Sequence, residues 1–239
     1  MTMPYPLSTP PPCCCSPSRA AGGFAPPSQS RFQPARPAWP NPVDQFARQT
    51  GSVPPLSCPK GLVFQNAFIN PDLQVRRKPD GQFGLFVKPN GRPIAPGEIV
   101  SILQGDFYTG AQLRRLPETV QRQSLQVADD IYSVQGPDKW GRYELDPTNY
   151  INHSCEPNTL LTGNDVLYAR FPILPGQEIT YDYGTSDAQG NPDVNWHCTC
   201  GTAACRGATR PWDYRWLVQK YGLNNVARYL KRRYLNETT

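Results

Sequence analysis

The chain has 239 residues, 18% of them charged and 38% hydrophobic, and a net charge of +5. That length suits one sizeable domain with appendages or two small ones, and no run of about 18 apolar residues offers a membrane-spanning helix. The N-terminus lacks the apolar stretch of a secretory signal, so an intracellular protein is expected, with its cysteines reduced or bound to metal. The charge is uneven. Residues 1–60 hold five basic groups and one acid, residues 61–200 eleven and sixteen, and residues 201–239 eight and two. A mildly acidic centre between basic ends suits a cationic substrate better than a nucleic-acid groove.

Residues 1–60 carry fifteen of the 28 prolines and no periodic apolar pattern, which reads as a disordered, proline-rich tail. Its shortage of acids also fits an organelle transit peptide, although so much proline disfavours the amphipathic helix such a peptide needs. From about Gly61 the texture changes. LQVRR, FGLFVK and EIVSILQG are short β-branched or aromatic runs separated by KPDGQ, PNGRP and APGE, and further strand signals follow in IYSV, NDVLYARFPIL and QEITYDY. The fold expected from these is mainly β. One helical insert, AQLRRLPETVQRQSLQ, interrupts it and should break at Pro117. Beyond Thr209 two helices are expected. One runs from near Pro211 and Asp213 to Gly222, and the other groups Val226, Tyr229, Leu230 and Tyr234 on one face.

Two stretches carry chemistry. NYINHSCEPN, residues 149–158, gathers Asn152, His153 and Cys155, which admits a Cys/His nucleophile pair, a corner of a metal site or a plain surface loop. WHCTCGTAACRG places Cys198, Cys200 and Cys205 within eight residues. A structural zinc takes four tetrahedral ligands, so this cluster is one short. His197, Cys58, the Cys13–Cys15 run and Cys155 are the candidates for the fourth. His197 directly adjoins Cys198, which strains a tetrahedron. A disulfide scaffold is the competing reading, but the cysteines are few for the length.

NYINHSCEPN, PGQEITYDYG and CTCGTAACRG in that order resemble the signature of the SET-domain protein lysine methyltransferases with a post-SET zinc segment. The resemblance covers roughly residues 61–208. It implies a SET-domain fold of small curved β-sheets around a knot-like crossing: a SET domain at 61–185, a post-SET zinc segment at 186–209 and a C-terminal helical tail at 210–239. It implies S-adenosyl-L-methionine as methyl donor and a structural zinc on Cys155, Cys198, Cys200 and Cys205. Asn152 and His153 would line the cofactor pocket with Gly84, Leu85 and Phe86. Tyr183 would be the catalytic tyrosine, Tyr181 would limit the product to mono- or dimethyl-lysine, and Tyr132 is a candidate wall of the lysine channel. If EITYDYG is a strand, Tyr181 and Tyr183 share one face.

Two positions depart from the family pattern. Gln82 replaces the first glycine of its G-x-G, with Gly81 one place early, and Leu103 stands where relatives have a tyrosine. These departures motivate an alternative, a catalytically weak SET scaffold serving as a chromatin or protein-binding adaptor. The expected partner is a protein presenting a lysine, with a histone tail first. Nucleic acid would be met only through a nucleosome, no membrane is involved, and a monomer is expected. The nucleus is the favoured location, with cytoplasm or an organelle as the alternatives.

Overall fold

The computed structural model describes Leu56 and residues 67–135, 146–188 and 197–238. The expected proline-rich tail lies outside these residues apart from Leu56, and so do Cys13–Cys15 and Cys58. Eleven strands are present among the described residues, in small sheets. β1 (Phe68–Ile69), β4 (Ile99–Ile102), β10 (Val166–Ala169) and β9 (Thr159–Thr162) form an antiparallel sheet in the order β1-β4-β10-β9. β2 (Leu73–Arg77) pairs with β3 (Phe83–Val87) as a hairpin. β5 (Asp106–Thr109), β7 (Ile131–Val134) and β6 (Leu125–Ala128) form a separate sheet in the order β5-β7-β6.

The helical insert breaks where proline requires it. α1 (Gly110–Leu113) opens on a capping box in which the Thr109 hydroxyl accepts from the Gln112 amide and the Gln112 side chain accepts from the Thr109 amide. α2 (Glu118–Gln121) starts after Pro117, whose missing N–H costs nothing at a helix N-terminus. The expected helix stretched to Gln126, but Leu125–Ala128 is strand instead. Ser124 ends the helical pattern, and Val127 is buried on the opposite side of the sheet from the α1/α2 cluster.

The remaining pair positions the site. β8 (Asn152–His153) lies parallel to β11 (Thr180–Tyr181), with Asn152 opposite Thr180 and His153 opposite Tyr181. Parallel neighbours need a long crossover, and here β9 and β10 supply it while belonging to another sheet. The crossing is locked by side chains. Asn158 donates to the Glu178 carbonyl at 2.7 Å and accepts from the Thr180 amide at 3.0 Å, and the Thr159 hydroxyl donates to the Thr180 carbonyl at 2.8 Å. Ile151, Ile179 and Tyr181 here join the main core with Leu85, Val100, Leu161 and Leu167.

The C-terminal helices close the core. α3 (Tyr214–Tyr221) stops at Gly222, whose φ of +91° lies in the region that glycine tolerates and side chains do not. α4 (Arg228–Thr238) buries Tyr229 and Leu230. With Val226, Ala227 and the partly buried Tyr234, they present the expected apolar face to the sheets. No helix among the described residues is long and apolar enough to cross a membrane.

Candidate active site and metal centre

Cys155 leaves β8 and meets Cys198, Cys200 and Cys205 from the far end of the chain. Their sulfurs all lie within 4.8 Å of one another, with Cys155–Cys198 and Cys205–Cys198 both at 3.8 Å. A tetrahedral zinc with Zn–S bonds of about 2.3 Å places its sulfurs about 3.8 Å apart, so the donor set fits the metal. The cysteine segment is folded for the purpose. His197 bridges to Ala208, the Cys198 amide donates to the Gly207 carbonyl at 2.9 Å, and Gly201 and Gly207 adopt φ of +72° and +70°. His197 is exposed and outside the sulfur group, which removes it as the fourth ligand. Burial pushes the Cys155 and Cys198 thiols up, so without a cation these two are protonated and poor nucleophiles. That disfavours the Cys/His nucleophile pair.

The His153 side chain is fully buried, its ring centroid 5.3 Å from that of Tyr183 in an edge-to-face arrangement. Its Nδ1 accepts from the Tyr183 amide at 3.1 Å, so the neutral ring carries its proton on Nε2, which faces Cys155 Sγ at 3.3 Å. Burial, helped by Arg206 and opposed by Asp182, lowers its pKa to about 4. The imidazole therefore ties one sulfur of the cluster to the tyrosine segment.

Asn152 faces the other way. Its amide donates to the Phe83 carbonyl at 2.9 Å and to Glu178 Oε1 at 2.6 Å, and Lys78 Nζ lies 3.6 Å from the same oxygen. This joins Asn152 to Gly84 and Phe86, which bridges to Glu178 and stacks under Arg76 at 4.0 Å. Phe86, Glu178, Arg76, Arg77 and Lys78 line one open groove, whereas Leu85 is buried beneath it in the core. Gly84 is required by closeness. A Cβ there would overlap the Glu178 carboxylate and sit 2.8 Å from the Phe86 ring. Gly84→Ala is expected to displace Glu178 and the Phe86 ring and to cost about 1–3 kcal/mol of stability, checked by urea unfolding. The departure at Gln82 has a simple basis. Gly81 takes φ of +87° in the turn, Gln82 has an ordinary negative φ, and the Lys78 amide closes the turn on the Gln82 carbonyl at 2.7 Å.

The tyrosines lie on the opposite side of the crossing. β11 ends at Tyr181, and Tyr183 opens a single 3₁₀ turn, Tyr183–Thr185, capped by the Asp182 carboxylate on the Gly184 amide. The strand geometry expected for EITYDYG therefore stops short, yet the two rings meet with centroids 4.8 Å apart. The Tyr183 hydroxyl donates to the Ile151 carbonyl at 2.8 Å. Tyr181, Tyr183, Ile151, Leu103 and Ser133 line a cleft, so the residue standing in place of the relatives' tyrosine is part of its wall. Tyr132 is not brought there. Alternation along β7 points Ser133 at the cleft and packs Tyr132 with Tyr108, Leu113, Leu116 and Val120, where burial raises its pKa to about 12.

Sequence reasoning missed Arg206, Asp182 and Asp213. The Arg206 guanidinium makes a bidentate contact with Asp182 at 2.6 and 2.7 Å and reaches Asp213 at 3.1 Å, all three side chains being at least nine-tenths buried. The Arg206 amide also donates to Cys155 Sγ at 3.3 Å. The triad thus bolts the cysteine segment to the tyrosine turn and to the start of α3. Charged residues that follow the last cysteine and separate the two tyrosines were the available signal.

Residues 82–184, which include Phe86 and Glu178 of the groove and nearly all of the cleft, match the SET domain family model. The chain carries a SET domain. The H3 lysine-9 specific histone-lysine N-methyltransferase dim-5 of Neurospora crassa is 28% identical over 183 residues, 63% of this chain and 54% of that protein. The histone-lysine N-methyltransferase ash1 of Drosophila melanogaster is 40% identical over 169 residues, 64% of this chain and 7% of its own length. The histone-lysine N-methyltransferase set-2 of Caenorhabditis elegans is 35% identical over 125 residues, 48% of this chain and 8% of that protein. The chain thus spans about half of one relative and a small part of the others. Within this SET domain, Asn152, Tyr181 and Tyr183 come to the β8–β11 crossing, and the cysteine cluster sits directly against it.

Proposed function

We propose that this SET domain transfers methyl groups from S-adenosylmethionine to a protein lysine, with a histone tail the first substrate candidate, and that it stops at mono- or dimethyl-lysine. The observation that carries the reading is the junction itself: four sulfurs, a buried His153 and the Tyr181–Tyr183 pair converge where β8 runs beside β11. The printed names of the relatives and the acidic balance of residues 61–200 support a lysine-rich protein substrate, and a nuclear site of action follows from a histone substrate.

Cys155, Cys198, Cys200 and Cys205 would hold a structural zinc, making the cysteine segment a post-SET clamp. Gly84, Phe86, Asn152, Lys78 and Glu178 would hold the methyl donor. Bound there, S-adenosylmethionine supplies an electrophilic methyl on a sulfonium. A lysine amine is ordinarily an ammonium, with a pKa of about 10.4, and only the neutral amine attacks. The cleft walls of Tyr181, Tyr183, Ile151 and Leu103 exclude water and disfavour the ammonium. The Tyr183 hydroxyl, fixed on the Ile151 carbonyl, provides an oriented polar group beside the amine. Tyr181 occupies the space that further methyl groups would need.

The test incubates the zinc-loaded protein with methyl-labelled cofactor, core histones and a cell extract, and locates the label by mass spectrometry. Label on lysine is expected. A folded, zinc-loaded protein that labels nothing ends the proposal, and one that also fails to bind S-adenosylmethionine is the adaptor. Tyr183→Phe should leave cofactor affinity within about twofold and lower turnover about a hundredfold or more, since an oriented polar group at the reacting centre is lost. Single-turnover rates at saturating cofactor check this.

A further inference from the structure

The family match ends at Gly184, yet the hydroxyl of Tyr181 is anchored beyond it. Tyr181 OH lies 3.5 Å from Ser186 Oγ, and both residues are buried. Ser186 Oγ is 2.9 Å from Asp187 Oδ2 and 3.1 Å from the Tyr183 carbonyl. It has one proton, and the charged acceptor is the stronger partner. With that proton on Asp187, a lone pair of Ser186 is left to receive the Tyr181 hydroxyl. Asp187 is itself held by the Gln126 amide at 3.2 Å, and the Ala188 amide donates to Gln126 Oε1 at 3.0 Å. From the other side Tyr229 of α4 donates its hydroxyl to the Ser186 carbonyl at 2.6 Å, while Arg233 of the same helix pairs with Asp129 at the β6–β7 turn. The backbone of Ser186 is thus pinned by a helix lying more than 40 residues further along.

We infer that Ser186, held by Asp187 and by Tyr229 of α4, is a positioning residue that fixes the Tyr181 hydroxyl and thereby sets how many methyl groups the site can add. The inference rests on the lysine-methyltransferase reading above and extends it to residues outside the matched domain. A fixed hydroxyl blocks the space beside the amine, whereas an unanchored one swings and admits methylated lysine in a second or third round. Ser186 touches no substrate and acts only through Tyr181.

The test has two arms. In the first, the full chain is labelled with 13C at the tyrosine ζ-carbon, and the Tyr181 resonance is identified by its loss in Tyr181→Phe. That resonance should move in Ser186→Ala and, by a smaller amount, in the milder Tyr229→Phe. A resonance unmoved in both overturns the proposal without any need for substrate. In the second, products on a methylated protein lysine are counted by mass spectrometry. Ser186→Ala should raise the share of higher methylation states about fivefold, the effect of losing one hydrogen bond, in the same direction as Tyr181→Phe. In the Tyr181→Phe background it should add nothing, because the hydroxyl it holds is gone. An unchanged product ratio, or a further shift in that background, overturns the proposal. If the unmodified chain transfers no methyl, the methyltransferase reading falls, and the resonance arm alone decides whether Ser186 positions Tyr181.

Discussion

Cys198→Ser is expected to release the metal entirely and to unfasten the segment from His197 to Ala208. Cys198, buried like Cys155, lies 3.8 Å from both Cys155 and Cys205. Structural zinc in small sites contributes about 10–16 kcal/mol of apparent binding free energy at neutral pH, and besides the sulfurs the segment is held chiefly by Arg206 on Asp182 and Asp213. Among the described residues its internal backbone contacts are one isolated bridge, the Cys198–Gly207 bond and the Cys205–Thr202 bond. Metal analysis should find one zinc per native chain and none in the variant. Native protein treated with a strong chelator should reproduce the variant's melting temperature, and chelator should leave the variant unchanged. Stoichiometric zinc in Cys198→Ser would remove it from the ligand set. Because zinc binds thiolates, occupancy falls as the pH falls and protons compete for the sulfurs.

Arg206→Met is the second large effect. It strands Asp182 and Asp213 without their counter-ion, and a buried ion pair broken on one side costs about 3–5 kcal/mol. Burial already raises the Asp213 carboxyl, and the guanidinium is what opposes that rise. Two linked outcomes should appear in urea unfolding. The single variant loses about 3–5 kcal/mol, and Arg206→Met combined with Asp182→Asn loses less than the sum of the two separate changes, because one of the stranded charges is gone. Additive losses would show that the three side chains do not act as a unit. The Asp182 carboxylate also caps the Gly184 amide, so damage should spread to the Tyr183 turn and lower turnover as well as stability.

Local rules read much of this molecule from its chain. Pro117 splits the insert and Gly222 ends α3, because a missing N–H and a positive φ are properties of single residues. The grouping of four sulfurs was legible because three thiols are one ligand short of a tetrahedral site, and family resemblance chose Cys155 from four candidates. Other features depend on distant neighbours. Leu125–Ala128 follows two helical turns and becomes strand only because β7 offers it an edge. Tyr132 and Ser133 are both plausible channel walls in sequence, and only the side of β7 that faces the α1/α2 cluster separates them. The two ring nitrogens of His153 meet a sulfur two residues away and an amide thirty residues away, and the second of these contacts leaves no mark in the sequence. Arg206 finds Asp182 across 24 positions, and no periodicity announces such a pair.

The order in which the polypeptide is made gives the β8–β11 crossing a further meaning. Asn152 to Cys155 can be laid down early, but their partners arrive later: Thr180 to Tyr183, then Cys198 to Arg206, then Tyr229. Pairings so distant in sequence form slowly and wait for the last participant. A nascent chain stalled on the ribosome before Arg206 has emerged would hold both tyrosines and still lack the bolt that sets them. The relative placement of Tyr181 and Tyr183 is thereby settled only after the segments carrying Arg206 and then Tyr229 have been made.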